Sequence, residues 1–236
     1  RTDNLIQTVH SAEEAAVALQ VMEHGADGIL LVTDDAAEIK KTGEVVERAS
    51  SENVPLESAY IIDIRPVIMS DRCCVDTTSL LPPGVGLLVG NSGNAFFLVH
   101  NENIETPYCA ARPFRINAGA VHAYVRLPEN RTKYLCELGV GEEVLVCDPE
   151  GNGRSAAVGR NKIERRPMLL VVAENSEGQR VSLVMQNAET VRLTTPEGEP
   201  VSVTMLRCGD SVLAHFGCEK TGRHFGQAIA ETLEER

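Results

Sequence analysis

No apolar run in this sequence approaches the roughly 20 residues that a membrane-spanning helix needs, and no stretch has the pattern of a secretory signal. Positive charge is scarce: 22 Lys and Arg stand against 34 Asp and Glu, for a net charge of −12. That balance argues against nucleic acid or an anionic membrane surface as a partner, because both demand a basic face. Paired cysteine spacing is also missing. Seven cysteines are scattered as Cys73, Cys74, Cys109, Cys136, Cys147, Cys208 and Cys218, without a CxxC, which excludes the usual structural zinc pattern. Free thiols of a reducing compartment, with no disulfide and no cysteine nucleophile, are the expectation. Finally, Gly84, Gly86, Gly90 and Gly93 do not form GxGxxG between a strand and a helix, so no ordinary dinucleotide fingerprint is present.

What remains is the composition of a soluble metabolic enzyme, 43% hydrophobic and 24% charged over 236 residues. Such a length buries one large core or two smaller ones. The N-terminal part, 1–53, alternates strand and helix. NLIQTV (Asn4 to Val9) is strand-like, and Ser11 with Glu14 makes a capping box for a helix whose apolar residues are Ala16, Leu19 and Met22, with Gly25 as its stop. GILLV (Gly28 to Val32) has the continuous apolarity of a buried parallel strand, and Asp34 or Asp35 caps a second helix reaching about Ala49. This βαβα opens on Arg1 directly before a strand, which predicts that the domain continues upstream.

From residue 54 to 236 short apolar runs are broken by Gly, Pro and Asn, predicting a mostly β, barrel-like region. LPPGVGLL (Leu81 to Leu88), LGVGEEVL (Leu138 to Leu145) and LRCGDSVL (Leu206 to Leu213) share a leucine, a glycine three residues on, and a closing apolar pair. A turn feeding a strand is the expected meaning, and chance recurrence of glycine turns competes with it. PENRT, PEGNG and PEGEP mark polar turns starting at Pro128, Pro149 and Pro196. The last segment, Gln227 to Glu234, suits a strand or a short helix.

The stretch RPFRINAGAVHAY (Arg112 to Tyr124) gathers two guanidiniums, an amide and an imidazole around small residues. Arg112 and Arg115 can each grip a carboxylate with a two-pronged hydrogen bond, Asn117 adds a donor and an acceptor, and Gly119 leaves room for close approach. His122 belongs to the one side-chain type that titrates near neutrality. A solvated strand whose arginines pair with the protein's own carboxylates serves these residues equally well. Lys162, Arg165 and Arg166 form a second basic cluster, so a local basic pocket for a small anion exists despite the acid balance.

Five blocks occur in order: VGNSGNAFFLVH (Val89 to His100), ETPYCAARPFRINAGAVHAY (Glu105 to Tyr124), KIERRP (Lys162 to Pro167), VMQNAET (Val184 to Thr190) and GRHFG (Gly222 to Gly226). Together they resemble the archaeal-type, or class II, 3-dehydroquinate synthase family over essentially the whole chain. The resemblance implies a further α/β region upstream and a reaction in which 2-amino-3,7-dideoxy-D-threo-hept-6-ulosonate is oxidised and deaminated with NAD, then closed to 3-dehydroquinate. Its place would be aromatic amino acid biosynthesis, in the cytoplasm, or in a plastid for a photosynthetic source. Two departures stand out: VIMSDRCCVD (Val67 to Asp76) replaces a GMGDRVCVD-like block, and GRNKIERRP (Gly159 to Pro167) carries Asn161 where the family pattern has valine.

Such a reaction needs a base near neutral pKa, for which His122, His100 and His224 are candidates. It also needs a cation beside the enolate that closes the ring. Lys162, with Glu164 two residues on and so on the same strand face, fits that part; a Schiff base at Lys162 is the less favoured alternative. Arg112, Arg115, Asn117, Arg165, Gln186 and Asn187 are expected to hold substrate. Glu105 and Glu189 are candidate metal ligands or bases, should a divalent metal take part. VGNSGN (Val89 to Asn94) lets backbone approach a phosphate or, more simply, closes a hairpin. A homo-oligomer is compatible with the sequence. Two other readings stay open: a metal-dependent, nitrogen-retaining cyclase of the 3-amino-4-hydroxybenzoate kind, and a catalytically silent binding module.

Overall fold

The computed structural model describes residues 5–20, 25–49, 51–105, 109–217, 221–224 and 227–230, the last two stretches as backbone only. The chain divides into two compact units, Arg1–Ser51 and Glu52–Arg236. In the first, β1 (Ile6–Val9), α1 (Ala12–Gln20), β2 (Gly28–Leu31) and α2 (Ala36–Ala49) follow one another, and β1 pairs with β2 in parallel from Ile6↔Gly28 to Val9↔Leu31. Ser11 Oγ accepts the N–H of Glu14 at 3.2 Å, while the Glu14 carboxylate accepts the N–H of His10, one residue earlier than a standard box. Asp35, rather than Asp34, caps α2 by accepting the N–H of Ala37 at 2.8 Å. The buried stripe of α1 is Ala12, Ala15 and Ala18, one residue ahead of the expected Ala16 and Leu19; Met22 lies outside the described residues.

The second unit is built from short strands and two very long ones. They are β3 (Glu52–Asn53), β4 (Glu57–Thr77), β5 (Gly86–Ser92), β6 (Ala95–His100), β7 (Arg115–Ala120), β8 (Tyr124–Leu127), β9 (Arg131–Tyr134) and β10 (Glu143–Cys147). There follow β11 (Asn152–Glu174), β12 (Arg180–Gln186), β13 (Arg192–Thr194), β14 (Pro200–Ser202), β15 (Ser211–Phe216), β16 (Thr221–His224) and β17 (Gln227–Ala230). All but the last two join one large antiparallel sheet. Its axis is the ladder between β4 and β11, which stay in contact from Val158↔Thr77 to Glu174↔Tyr60 across three register shifts. β5 also pairs with β6, so the sheet doubles back on itself. Of the C-terminal segment that suited either strand or helix, Gln227–Ala230 is a strand, β17, paired with β16, and the rest lies outside the described residues.

Continuous apolar runs pack both faces of the central strands. In β6, Phe97 and Val99 point into the main core with Leu87, Val89 and Val125, while Phe96 and Leu98 join a second cluster with Leu88, Leu145 and Leu213. Each such side chain removed from water contributes about 1.5–3 kcal/mol. The leucine–glycine repeat has one structural meaning three times over. Leu81, Leu138 and Leu206 are buried, Gly84, Gly141 and Gly209 all have φ between 84° and 96°, and the turns lead into β5, β10 and β15. That left-handed backbone is the conformation for which glycine is used.

No helix among the described residues is long and apolar enough to cross a membrane.

Candidate functional site

Alternation along β4 places Arg72, Cys74 and Asp76 on one face, with the buried Cys73 and Val75 between them on the other. Across the ladder, Arg72 faces Glu164, Cys74 faces Lys162 and Asp76 faces Arg160. On the other side β7 brings Asn117 opposite Cys74 and Arg115 opposite Asp76, through a bulge between Cys73 and Cys74. The result is a charged row three strands wide, with β12 supplying Gln186 from beyond β11.

Two carboxylates organise the row. Glu164 receives the Arg72 Nη2 at 2.6 Å on one oxygen, and Lys162 Nζ and Arg166 Nη2, both at 3.0 Å, on the other. Its carboxyl is held below the usual carboxylate range, first by the Lys162 hydrogen bond and then, against a smaller burial effect, by the Arg72 and Arg166 charges. Asp76 receives a bidentate pair from Arg115 at 2.7 and 2.8 Å and a further contact from Arg160 Nε at 2.8 Å. Burial pushes the Asp76 carboxyl up, but the Arg115 and Arg160 hydrogen bonds overcome it and leave it low. A third carboxylate, the buried Glu102, accepts from Arg112 and from Thr190 Oγ1, each at 3.3 Å. Six cations therefore meet three carboxylates, leaving an excess of three positive charges on a chain of net −12.

The small residues between the charges are filled in by protein. Gly119 has φ 142°, and a Cβ there would stand 3.0 Å from Leu183 Cδ1 and 3.1 Å from the Val184 carbonyl. Its absent side chain admits β12, which corrects the expectation of ligand approach. Cys74 sits at the centre as a neutral thiol, its pKa pushed up to about 11 mainly by burial. Cys73 and Cys147 are likewise buried and raised to about 12. None of the three has thiolate character near neutrality.

Several expected site residues fall elsewhere. Arg115 spends its two-pronged grip on Asp76, the internal pairing that the sequence allowed, so it holds no substrate carboxylate as it stands. Arg112 is paired with Glu102 and partly exposed. Arg165 alternates to the face opposite Lys162 and Glu164, and Arg166 takes the place expected of it. Gln186 and Asn117 do come together, joined by a 2.9 Å hydrogen bond, whereas Asn187 is exposed beside Pro167. His122 is exposed in the turn after Ala120, the residue paired with Arg72. Side chains of β16 lie outside the described residues, so His224 is placed only on its strand. Glu105 and Glu189 are exposed, and no three His, Cys, Asp or Glu side chains gather to hold a metal among the described residues.

His100 is no base. Buried to 2% exposure, its Nδ1–H donates to the Asn101 carbonyl at 2.6 Å and its Nε2 accepts the Gly84 N–H at 2.9 Å. Both nitrogens are committed in the neutral form, and burial lowers the imidazole below 6.5. Since the folded pKa lies below the unfolded one, the stability this residue contributes is complete above about pH 6.5 and is lost as pH falls from there towards the folded value. We therefore expect the urea midpoint to drop between pH 7.5 and pH 5.5, and the drop to shrink in His100→Gln. An equal drop in the variant would assign it to other groups.

His100 also borders a cleft of about 650 Å³ with Pro82, Gly84, Asp148, Glu150, Glu197 and Glu199 among its walls. Its four carboxylates repel an anion, so cavity size and chemistry disagree, and the charged row is the better anion site. Arg72, Glu102, Asp76 and Arg160 were not among the candidates, and Arg166 entered only as a member of the basic cluster. The alternation of Arg72, Cys74 and Asp76 within a buried segment was the signal available for two of them.

Comparison with known proteins matches residues 58–236 to the family described as 3-dehydroquinate synthase II C-terminal domain and residues 1–46 to 3-dehydroquinate synthase II N-terminal domain. A 3-dehydroquinate synthase of Methanothrix thermoacetophila is 53% identical over 232 residues, which are 98% of this chain and 63% of that protein. For that of Methanopyrus kandleri the figures are 49% over 235 residues, 98% and 58%. A 3-dehydroquinate synthase homolog of Aquifex aeolicus is 51% identical over 234 residues, 99% of this chain and 70% of that protein. The chain thus spans about three fifths of the length of the first and second of these relatives. No solved structure matches.

Proposed function

The chain belongs to the 3-dehydroquinate synthase II family, and from this premise we propose that the full-length protein is a 3-dehydroquinate synthase that converts 2-amino-3,7-dideoxy-D-threo-hept-6-ulosonate by oxidative deamination and ring closure. The observation that carries the reading at the level of the site is the excess of three positive charges around Glu164, Asp76 and Glu102. A small acid drawn to an acidic protein needs such a local reversal of sign.

In this reading Lys162 and Arg166, about half exposed and held by Glu164, present the substrate-facing charge. Lys162 stabilises negative charge developing on the enolate during ring closure. It acts as an ammonium rather than through a Schiff base, since it stands in a polar, ion-paired setting and not in an apolar one. Arg72 and Glu164 fix the position of both cations. His122, at the edge of the row, is the remaining described candidate for proton transfer. The large antiparallel sheet, with the long β4–β11 ladder at its axis, is the scaffold that carries the row.

NAD is the hydride acceptor that the family resemblance implies. Gly90 is not the residue that lets a phosphate approach: a Cβ there would stand 1.9 Å from the Ala95 carbonyl, so this glycine serves the closure of its own hairpin.

The test is stoichiometry. Full-length protein with NAD and the amino heptulosonate should yield ammonia, reduced nicotinamide and 3-dehydroquinate in equal initial rates. Ring closure without ammonia release, or turnover only with manganese and a nitrogen-containing aromatic product, would replace this reading by the nitrogen-retaining cyclase.

A further inference from the structure

Two side chains of the row are left with opposite needs. Arg72 donates through Nε to Gln186 Oε1 at 2.8 Å and through Nη2 to Glu164, yet its Nη1 is buried without a hydrogen-bond partner. Asn117 donates through Nδ2 to the same Gln186 oxygen at 2.9 Å, and its Oδ1 is likewise buried and unpartnered. Both residues are more than nine-tenths buried. A buried orphan costs about 1–3 kcal/mol, and these two stand on neighbours that share one acceptor. One is a donor and the other an acceptor. A carboxylate suits the first and is repelled by the second; an ammonium does the reverse. A group that accepts from a guanidinium and donates to an amide oxygen at once is a hydroxyl, that of an alcohol or of a water which an alcohol displaces.

We propose that Arg72 Nη1 and Asn117 Oδ1 form a hydroxyl-recognition subsite, in which one alcohol of a polyhydroxylated acid accepts from Arg72 and donates to Asn117. Gln186 is then a positioning residue: its Oε1 accepts from both side chains and fixes the distance between them, and so does not itself meet substrate through that oxygen. Cys74, opposite Asn117 in the β4–β7 register, carries a buried, neutral thiol. The subsite gives the row its specificity. Lys162 and Arg166 attract any small anion, whereas the Arg72–Asn117 pair selects anions that carry a hydroxyl at a fixed distance from the charge. A site built to hydrogen-bond an OH rejects the analogue that lacks it, because its own polar groups then stay unpaired.

This inference rests on the proposed reaction for the identity of the acid but not for the existence of the subsite, and the experiment separates the two. Calorimetry on the full-length protein would compare 3-dehydroquinate with analogues that each lack one ring hydroxyl. One analogue should bind about 10- to 100-fold more weakly than the parent. In Arg72→Lys, which keeps a cation beside Glu164, and in Asn117→Ala, that gap should fall to about twofold. Equal binding of every analogue by the wild type, or an unchanged gap in both variants, overturns the subsite. If the protein neither turns over the amino heptulosonate nor binds 3-dehydroquinate, the proposed reaction fails, and the subsite is read with D-gluconate against hexanoate. Gluconate should then raise Tm more than hexanoate in the wild type and lose that advantage in Asn117→Ala. Equal shifts overturn it.

Discussion

Replacing Lys162 by methionine in the full-length protein is expected to lower kcat by about 10²–10³, the loss typical of removing one group aimed at developing negative charge. Stability should change by less than about 0.5 kcal/mol, because the lost pair is a half-exposed one. Lys162 is 46% exposed, and Glu164 keeps both Arg72 and Arg166 when it is gone. The folded state is left with a compensated carboxylate. Lys162→Arg should recover part of the rate, since it restores charge but not a compact ammonium. Borohydride added during turnover should trap no adduct at this position. Wild-type kcat in Lys162→Met would remove the residue from the mechanism, and a trapped adduct would restore the Schiff base.

Asp76→Asn should be costly in the opposite way, destabilising the fold by about 3 kcal/mol because it strands buried positive charge. Asp76 and Arg115 are 7% and 13% exposed, and their two parallel hydrogen bonds join β4 to β7 while Arg160 joins β4 to β11. With an amide in place of the carboxylate, one N–H must face a guanidinium and the Arg115 fork loses half its match. The control is Asp63→Asn. Asp63 meets Arg65 at 3.5 Å with both side chains well exposed, and its removal should change the unfolding free energy from urea titration by less than about 0.5 kcal/mol. Similar effects at the two positions would mean that burial of the Asp76 pair does not govern its energetics.

The contrast between these residues bears on what a sequence discloses. The parallel β1–β2 pair, the caps at Ser11 and Asp35, and the three leucine–glycine turns follow from local rules, and local rules are written in consecutive residues. The placement of Lys162 and Glu164 on one face was legible for the same reason, strand alternation. Long-range facts were not. Whether Arg115 grips a ligand or Asp76 depends on a register between strands 39 residues apart, and a single bulge at Cys73/Cys74 decides which side chains meet. Arg165 and Arg166 differ only in the parity of their positions, which no composition argument resolves without knowing which face is the site. His100 looked like a base because histidine titrates near neutrality; its burial and two committed nitrogens appear only when β6 is folded against the Gly84 turn. Asn161 looked out of place in a strand, yet its amide donates to the Leu135 and Leu138 carbonyls and holds the short turn beside β9.

The central claim is that the row around Glu164, and not the acidic cleft beside His100, receives the anionic substrate. A crystal structure of the full-length protein soaked with 3-dehydroquinate tests it most directly. The account predicts product density against Lys162 and Arg166, with one hydroxyl within hydrogen-bond distance of Arg72 Nη1 and Asn117 Oδ1. Density between Pro82, Asp148 and Glu199 instead, with the row unchanged, would contradict it.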